Sequence, residues 1–258
     1  MSRVADRDRA LLVFICRTFW EICMLKQKIG DLSARLLRAA VGRIATDLEL
    51  VQTIQAASSS ATLIDLMMRN AKACSSNLDV MHTAFAAAAL HNGFVCELGV
   101  YRGRSLNEIA RHYAPDKVYG FDTFTGLPEF WREGFPEGAF DVSSEKLVFE
   151  KNCLLYKGLF KETLPTFLEQ VTGPAKLIHV DCDLYSSTIS ALSILSPRIC
   201  PGTVIVFDEY FNYPGWQEHE HKAFHEFIEL TGHGYKYIAY NQVGQQVALV
   251  ITSGDITA

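Results

Sequence analysis

The sequence predicts an α/β fold, a mostly parallel sheet closed by an antiparallel hairpin and preceded by a helical extension. Three observations carry this. Short apolar β-type runs recur from Phe94 onward with helical segments between them. A glycine-bearing turn at Glu97-Leu98-Gly99 joins the first such run to a helix. The last two runs are separated only by Asn241 to Gln246. Buried strands alternating with helices make a parallel sheet covered on both faces. A parallel crossover needs about a dozen residues or more, so the final pair is antiparallel.

Before position 93 the pattern is helical. Ala10 to Leu25 is apolar but interrupted by Arg17 and Glu21, and the mixed charges of the preceding residues do not fit a signal peptide. Arg17, Glu21 and Lys28 fall on a narrow polar stripe, which suits a packing or dimer helix, with membrane-surface attachment as the other reading. Leu32, Leu36, Leu37, Ala40, Val41, Ile44, Leu48 and Val51 recur at helical spacing until Ser58 to Ser60 break the pattern. Further helices are predicted over 61–73 and 79–90, the last stopped by Asn92-Gly93. Residues 1–92 are thus expected to form an extension serving as a lid or for dimerisation, and 93–258 the ligand-binding domain.

From Phe94 each element follows in order. Phe94 to Leu98 is the first strand, and Ser105-Leu106-Asn107-Glu108 reads as a capping box opening a helix. Lys117 to Phe121, a segment near Cys153 to Tyr156, Lys176 to Val180 and Thr203 to Phe207 supply the next strands. Tyr235 to Tyr240 and Val247 to Ile251 supply the hairpin.

Composition narrows the function. The 258 residues are 49% hydrophobic, enough for a well-buried core, and carry a net charge of −5 with Lys and Arg scattered, so nucleic acid is not an expected partner. Seven cysteines at irregular spacing form neither a CxxC pair nor a secreted disulfide framework, which fits reduced thiols in a cytoplasmic protein.

The turn from Glu97 to Ser105 brings backbone N–H groups and a helix N-terminus toward a ligand. Alone it is equally compatible with a structural βα turn, because it lacks a full GxGxxG. Asp122 strengthens the ligand reading: it ends the second strand, where an acid can accept hydrogen bonds from both hydroxyls of a ribose, and Thr123 follows it. Asp181, Asp183, Asp208 and Glu209 follow the strands ending at Val180 and Phe207, so they are expected to converge on one crevice. Crowded carboxylates persist when a cation neutralises them or some are protonated, and all-oxygen ligands favour Mg²⁺ or Ca²⁺; helix capping is the alternative for some of them. His221 and His225 have the i, i+4 spacing of a zinc pair, or simply pack on a helix with Ala223, Phe224 and Phe227. The loop from Gly126 to Phe140 is read as a lid or as an Ω-like packed loop.

The segments ELGVYRGRS, FDTFTGLPEFW, GLFKETLPTFL, IHVDCDLYSST, PGTVIVFDEYFNYPGW and KYIAYNQ, in that order and spacing, resemble the macrocin O-methyltransferase family. That family includes antibiotic-sugar methyltransferases of the novobiocin and mycinamicin pathways. The resemblance implies a seven-stranded, Rossmann-like class I methyltransferase sheet, S-adenosyl-L-methionine as methyl donor, and Mg²⁺ beside the acceptor hydroxyl of a sugar or other small metabolite. It implies that Glu97, Gly99, Tyr101, Gly103 and Ser105 surround the methionine end of the donor and that Asp122 binds the ribose, with Val100 and Thr123 also among the cofactor-binding residues. It further implies Asp181, Asp208 and Glu209 as metal ligands. Asp181, at the crevice end of its strand, is the expected base. The family usually shows two aspartates where this chain has Asp208-Glu209, and the extra methylene moves the carboxylate by more than about 1 Å. An NAD-type dehydrogenase and a non-catalytic S-adenosylmethionine-binding protein are the rival readings; the terminal hairpin and clustered carboxylates have no natural role in the first. The acceptor and the oligomeric state are left open, with a homo-oligomer through the N-terminal helices as one expectation.

Overall fold

A computed structural model describes residues 46–254 throughout and, before them, Arg17, Trp20, 24–26, 28–39 and Gly42. Much of the predicted helix over 10–25, together with Ala40, Val41 and Ile44 of the next, lies outside the described residues. Two compact units are present, Met1–Ile54 and Gln55–Ala258. In the first, residues 28–39 are helical, as their spacing predicts.

Helix α1 (Leu48–Met67) passes through the serine cluster without a break. The reason is local: the Ser59 and Ser60 hydroxyls donate to the Ala56 carbonyl at 3.0 and 2.8 Å, so these side chains bond back onto their own helix rather than compete with it. The expected helix over 61–73 is therefore the end of a longer one, and it stops six residues early. Its predicted tail contains instead a short strand, β1 (Lys72–Cys74). Helix α2 (Asn77–Ala88) follows, with Ser76 accepting from the Asp79 N–H as N-cap.

The remaining order is β2 (Phe94–Leu98), α3 (Arg104–Tyr113), β3 (Val118–Asp122), β4 (Cys153–Lys157), α4 (Phe160–Gln170), β5 (Ala175–Val180), α5 (Tyr185–Leu195), β6 (Val204–Phe207), α6 (Glu220–Thr231), β7 (Gly234–Asn241) and β8 (Val247–Thr252). All eight strands form one sheet in the order β1-β7-β8-β6-β5-β2-β3-β4. Strand β8 runs antiparallel to both β6 and β7; every other pairing is parallel. Seven strands thus take the expected arrangement, and β1 adds an eighth at the edge beside β7. The segment 72–88, assigned from sequence to the extension, supplies this strand and a covering helix.

Alternation sorts the core into two layers, because successive side chains of a strand face opposite sides. Phe94, Cys96 and Leu98 of β2 pack with Ile205 and Phe207 of β6 under α4, α5 and α6, whereas Val95, Val204 and Val206 face Val80, Ala84 and Phe85 of α2 and Leu106 and Ile109 of α3. With both faces covered, the carboxyl ends of β2, β3, β5 and β6 open together at one edge.

Two expected caps are replaced. Helix α3 opens from Gly103 with no side-chain cap, and Ser105 is its second residue; Glu108 instead pairs with Arg111 at 2.7 Å. Gly93 does not cap α2, which ends at Ala88. Its φ of +149° lets the chain pass where a Cβ would sit 2.2 Å from the Pro174 carbonyl oxygen, so a close approach of backbones requires glycine there.

Candidate active site

The turn after β2 is held from beneath by β3. Asp122 Oδ2 accepts the Val100 and Tyr101 N–H groups, both at 2.7 Å, and Oδ1 accepts the Phe124 N–H at 2.7 Å. One carboxylate thus fixes the loop that a ligand would meet, and Tyr101 takes the left-handed conformation (φ 50°) that this wrapping imposes. Gly99, at φ +89°, leaves no room for a side chain: a Cβ would lie 1.8 Å from the Asp181 carbonyl oxygen. The Asp181 N–H in turn donates to the Leu98 carbonyl at 2.8 Å. The ends of β2 and β5 are thereby pinned together.

A cavity of about 380 Å³ opens there. Of the residues singled out from sequence, Gly99, Val100, Tyr101, Asp122, Thr123, Asp181 and Asp183 line it. Glu97, Gly103, Ser105, Asp208 and Glu209 do not. Glu97 is fully buried in β2 and bonds His179 Nδ1 at 2.7 Å. Burial pushes its carboxyl pKa up, while His179 and Ser105 pull it back.

The acids after β5 and β6 do converge. Asp181, Asp208 and Glu209 each place a carboxylate oxygen within 4.8 Å of the others. Glu97, His179 and Asp181 make a second group at the same spacing. Asp208 is oriented by the Asn77 amide at 2.8 Å and by the Gln246 amide at 3.3 Å. Burial first, and then repulsion from Asp208, raises the Asp181 carboxyl well above its ordinary range; burial and then Asp181 do the same to Glu209. Asp183, in a left-handed conformation at the cavity wall, is pushed up to about 7 by burial, partly offset by Arg132. Glu209 Oε2 is buried with no hydrogen-bond partner among the described residues. An orphaned oxygen beside two further carboxylates fits a divalent cation, and the all-oxygen donors suit a hard one. The Glu209 side chain therefore reaches the group despite its extra methylene.

Three contributors escaped sequence reading. His179 lies two residues before Asp181 on the same face of β5, a spacing that alternation could have flagged. Glu220 is fully buried and accepts the Glu209 N–H at 3.2 Å; it stands beside the histidines that drew attention instead. Asn77 reaches Asp208 across 131 positions of sequence, which no local pattern reveals.

The loop from Gly126 to Phe140 is packed and laced at its base, with Leu127 and Ala139 joined by a backbone bond of 2.8 Å. Trp131 is buried against Tyr213 and His219, and the Arg132 guanidinium lies 3.9 Å from the Trp131 ring. Glu129 accepts from Ser186 at 2.6 Å, tying the loop to α5, while Leu127, Pro128, Glu129 and Phe140 line the cavity. The His221 and His225 rings lie 4.3 Å apart, tilted by 45°, among Trp216, Tyr210 and Tyr235. They join no group of three potential metal ligands among the described residues, so their spacing serves packing.

Residues 96–210 match the family of methyltransferase domains. The chain is 32% identical over 141 residues to an 8-demethyl-8-(2,3-dimethoxy-alpha-L-rhamnosyl)-tetracenomycin-C 4'-O-methyltransferase of Streptomyces olivaceus, covering 46% of this chain and 53% of the relative. It is 27% identical over 145 residues to demethyldecarbamoylnovobiocin O-methyltransferase of Streptomyces niveus, covering 47% and 54%. The chain spans about half the length of these curated relatives. Among solved structures it is similar to CalS11, a calicheamicin methyltransferase, with a TM-score of 0.53 at 23% identity over 67% of this chain and 78% of that one. It is also similar to the O-methyltransferase NovP, with a TM-score of 0.50 at 20% identity over 67% and 79%. The sheet order, the reversed β8 and these likenesses together give the chain the class I, Rossmann-like methyltransferase fold.

Proposed function

We propose that the chain is an S-adenosylmethionine-dependent O-methyltransferase acting on a hydroxyl of a sugar or other small metabolite, assisted by Mg²⁺ and akin to the macrocin group. One observation carries this reading: the cavity wall joins the Asp122-braced loop to Asp181, whose carboxylate belongs to the acidic cluster. A donor site and a deprotonation site thus share one wall. The names of the Streptomyces relatives support an acceptor on a glycosylated natural product. The five described cysteines, none in a disulfide, accord with a cytoplasmic setting.

In the proposed reaction S-adenosylmethionine supplies an activated methyl group to the acceptor oxygen by in-line displacement. The chain's contribution is mainly alignment. Asp122 would hold the ribose while keeping Val100 and Tyr101 in place, and Gly99, Val100 and Tyr101 would receive the methionine end. Asp181, Asp208 and Glu209 would hold the cation, which when bound lowers the pKa of a coordinated hydroxyl. Asp181 would accept the hydroxyl proton, a role suited to a carboxyl whose basicity burial has raised. Leu127, Pro128 and Phe140 would shield the reacting atoms from water. The clustered acids and the reversed β8 weigh against the dehydrogenase reading.

The test is calorimetric titration with S-adenosylmethionine, followed by methyl transfer to a panel of hydroxylated acceptors with magnesium and with a chelator. Saturable binding and chelator-sensitive transfer are expected. A folded protein that does not bind the donor sinks the reading, and turnover indifferent to chelator removes the metal from it.

A further inference from the structure

The first compact unit carries an apolar seam of its own. Within the helical residues 24–26 and 28–39, Leu25, Ile29, Leu32 and Leu36 are spaced 4, 3 and 4 apart, and each is 58–64% exposed. That spacing is a heptad, with Leu25 and Leu32 at d and Ile29 and Leu36 at a. In sequence the pattern continues upstream to Ile22 and Ile15 at a. Isoleucine at three a positions and leucine at two d positions is the combination that favours two parallel strands. One flanking pair is complementary in the same arrangement, while Lys28 and Arg35 at the other g positions meet uncharged Ser33 and Ala40 at e. Glu21 falls at g and Lys26 at the following e, so a parallel, in-register pair would face Glu21 of each chain with Lys26 of the other. From Ile22 to Ala39 every a and d position is apolar, and Thr18 interrupts the d row between Ile15 and Ile22.

We infer that this helix forms a parallel two-stranded coiled coil with a second copy of the chain, through Leu25, Ile29, Leu32 and Leu36. Apolar side chains of this size, left half or more in water at heptad spacing, need an occupant, and the Glu21–Lys26 complementarity selects an identical helix over a lipid surface.

Light scattering of the full chain during size exclusion, at about 50 μM, tests the inference. Wild type is expected at twice the monomer mass, and the double variant I29D/L36D at the monomer mass with an unchanged melting temperature, since both positions face water within the chain. Leu32→Cys is expected to form a disulfide-linked dimer on mild oxidation, mapped by peptide mass to position 32 in both chains; native Cys16 and Cys23 fall at b in the repeat, not at a or d. A monomeric wild type overturns the inference, whether or not it floats with anionic vesicles. So does a dimer that survives I29D/L36D. A dimer lost in I29D/L36D but unable to cross-link through position 32 overturns the parallel register. A double variant with a lowered melting temperature in a monomeric background assigns the seam to packing within one chain.

Discussion

Asp122 does two jobs that a single substitution can separate. Its carboxylate accepts three backbone N–H groups, two at Oδ2 and one at Oδ1, so the acceptor capacity left for a ligand hydroxyl is on Oδ1. Asp122→Ala leaves those donors without their partner, and a stability loss of about 2 kcal/mol is expected by denaturant melting. Donor affinity should fall by about 10-fold or more, read by calorimetry. Asp122→Asn, which keeps one carbonyl acceptor, should recover part of the stability but little of the affinity. Equal losses in both variants would argue that the residue only braces the loop. Gly99→Ala is harsher, since its Cβ would strike the Asp181 backbone; loss of donor binding is expected, with soluble expression reduced.

His221 offers a pH reading at the same scale. Burial, and then the neighbouring His225, lower its pKa from 6.5 to about 3. It faces His225, Tyr210 and Trp216. Its folded pKa lies below its unfolded one, so below pH 6.5 the unfolded chain binds more protons and stability falls as the solution acidifies. Between pH 7.5 and 5.5 the loss attributable to this residue is about 1.4 kcal/mol. The difference in unfolding free energy between wild type and His221→Gln should therefore narrow by that amount over the interval. A pH-independent difference would show that the ring is not titrating on unfolding.

Among the elements, the loop from Gly126 to Phe140 is the one whose motion would matter. Glu129 and Ser186 are the bond by which it holds α5 beside the cavity. Both side chains are exposed at that bond, so Glu129→Ala should change the melting temperature by little while hydrogen exchange in 126–140 accelerates. If the loop works as a lid, the acceptor KM rises in the same variant; unchanged exchange would assign closure to Trp131 packing instead. Helix α1 and strand β1 show how neighbours override local signals. Serines that break a helix in isolation bond back onto α1, and Lys72-Ala73-Cys74, too short to register as a strand, gains its conformation from the edge of β7. The capping box at Ser105 and Glu108 failed for a related reason. The turn there is set by Asp122 and Gly99, which leave Gly103, not a serine, at the helix mouth.

For the whole molecule the acidic cluster sets the conditional behaviour. Asp181 and Glu209 are half-buried beside the fully buried Glu220, and loss of solvent with mutual repulsion disfavours the charged forms of all three. A cation binding the folded state alone adds stability by mass action, about 2.7 kcal/mol at a hundred times its dissociation constant. Millimolar Mg²⁺ should raise the melting temperature by several degrees and a chelator should reverse it; Asp181→Asn/Glu209→Gln should abolish the response. A magnesium shift that persists in that double variant would place the ion elsewhere.

The sequence by itself determined the alternation of strands and helices, the reversal at the C-terminal hairpin, and the placement of Asp122, Asp181, Asp208 and Glu209 at strand ends. Those follow from periodicity, from loop length and from the rule that open α/β sheets bind ligands at their carboxyl edge. It determined the helix over 28–39 for the same reason, since helical spacing is a local property. Only the tertiary structure decided which site residues reach the cavity. Glu97 stands behind the loop because β2 is central to the sheet and buried on both faces, and Ser105 because it is already inside helix α3, whereas Gly99 to Tyr101 line the cavity. His179, Glu220 and Asn77 enter the site from a strand, a helix and a second helix far apart in sequence, and only the stacking of those elements around one sheet end puts Asn77 on the Asp208 carboxylate, Glu220 on the Glu209 N–H and His179 3.9 Å from Asp208.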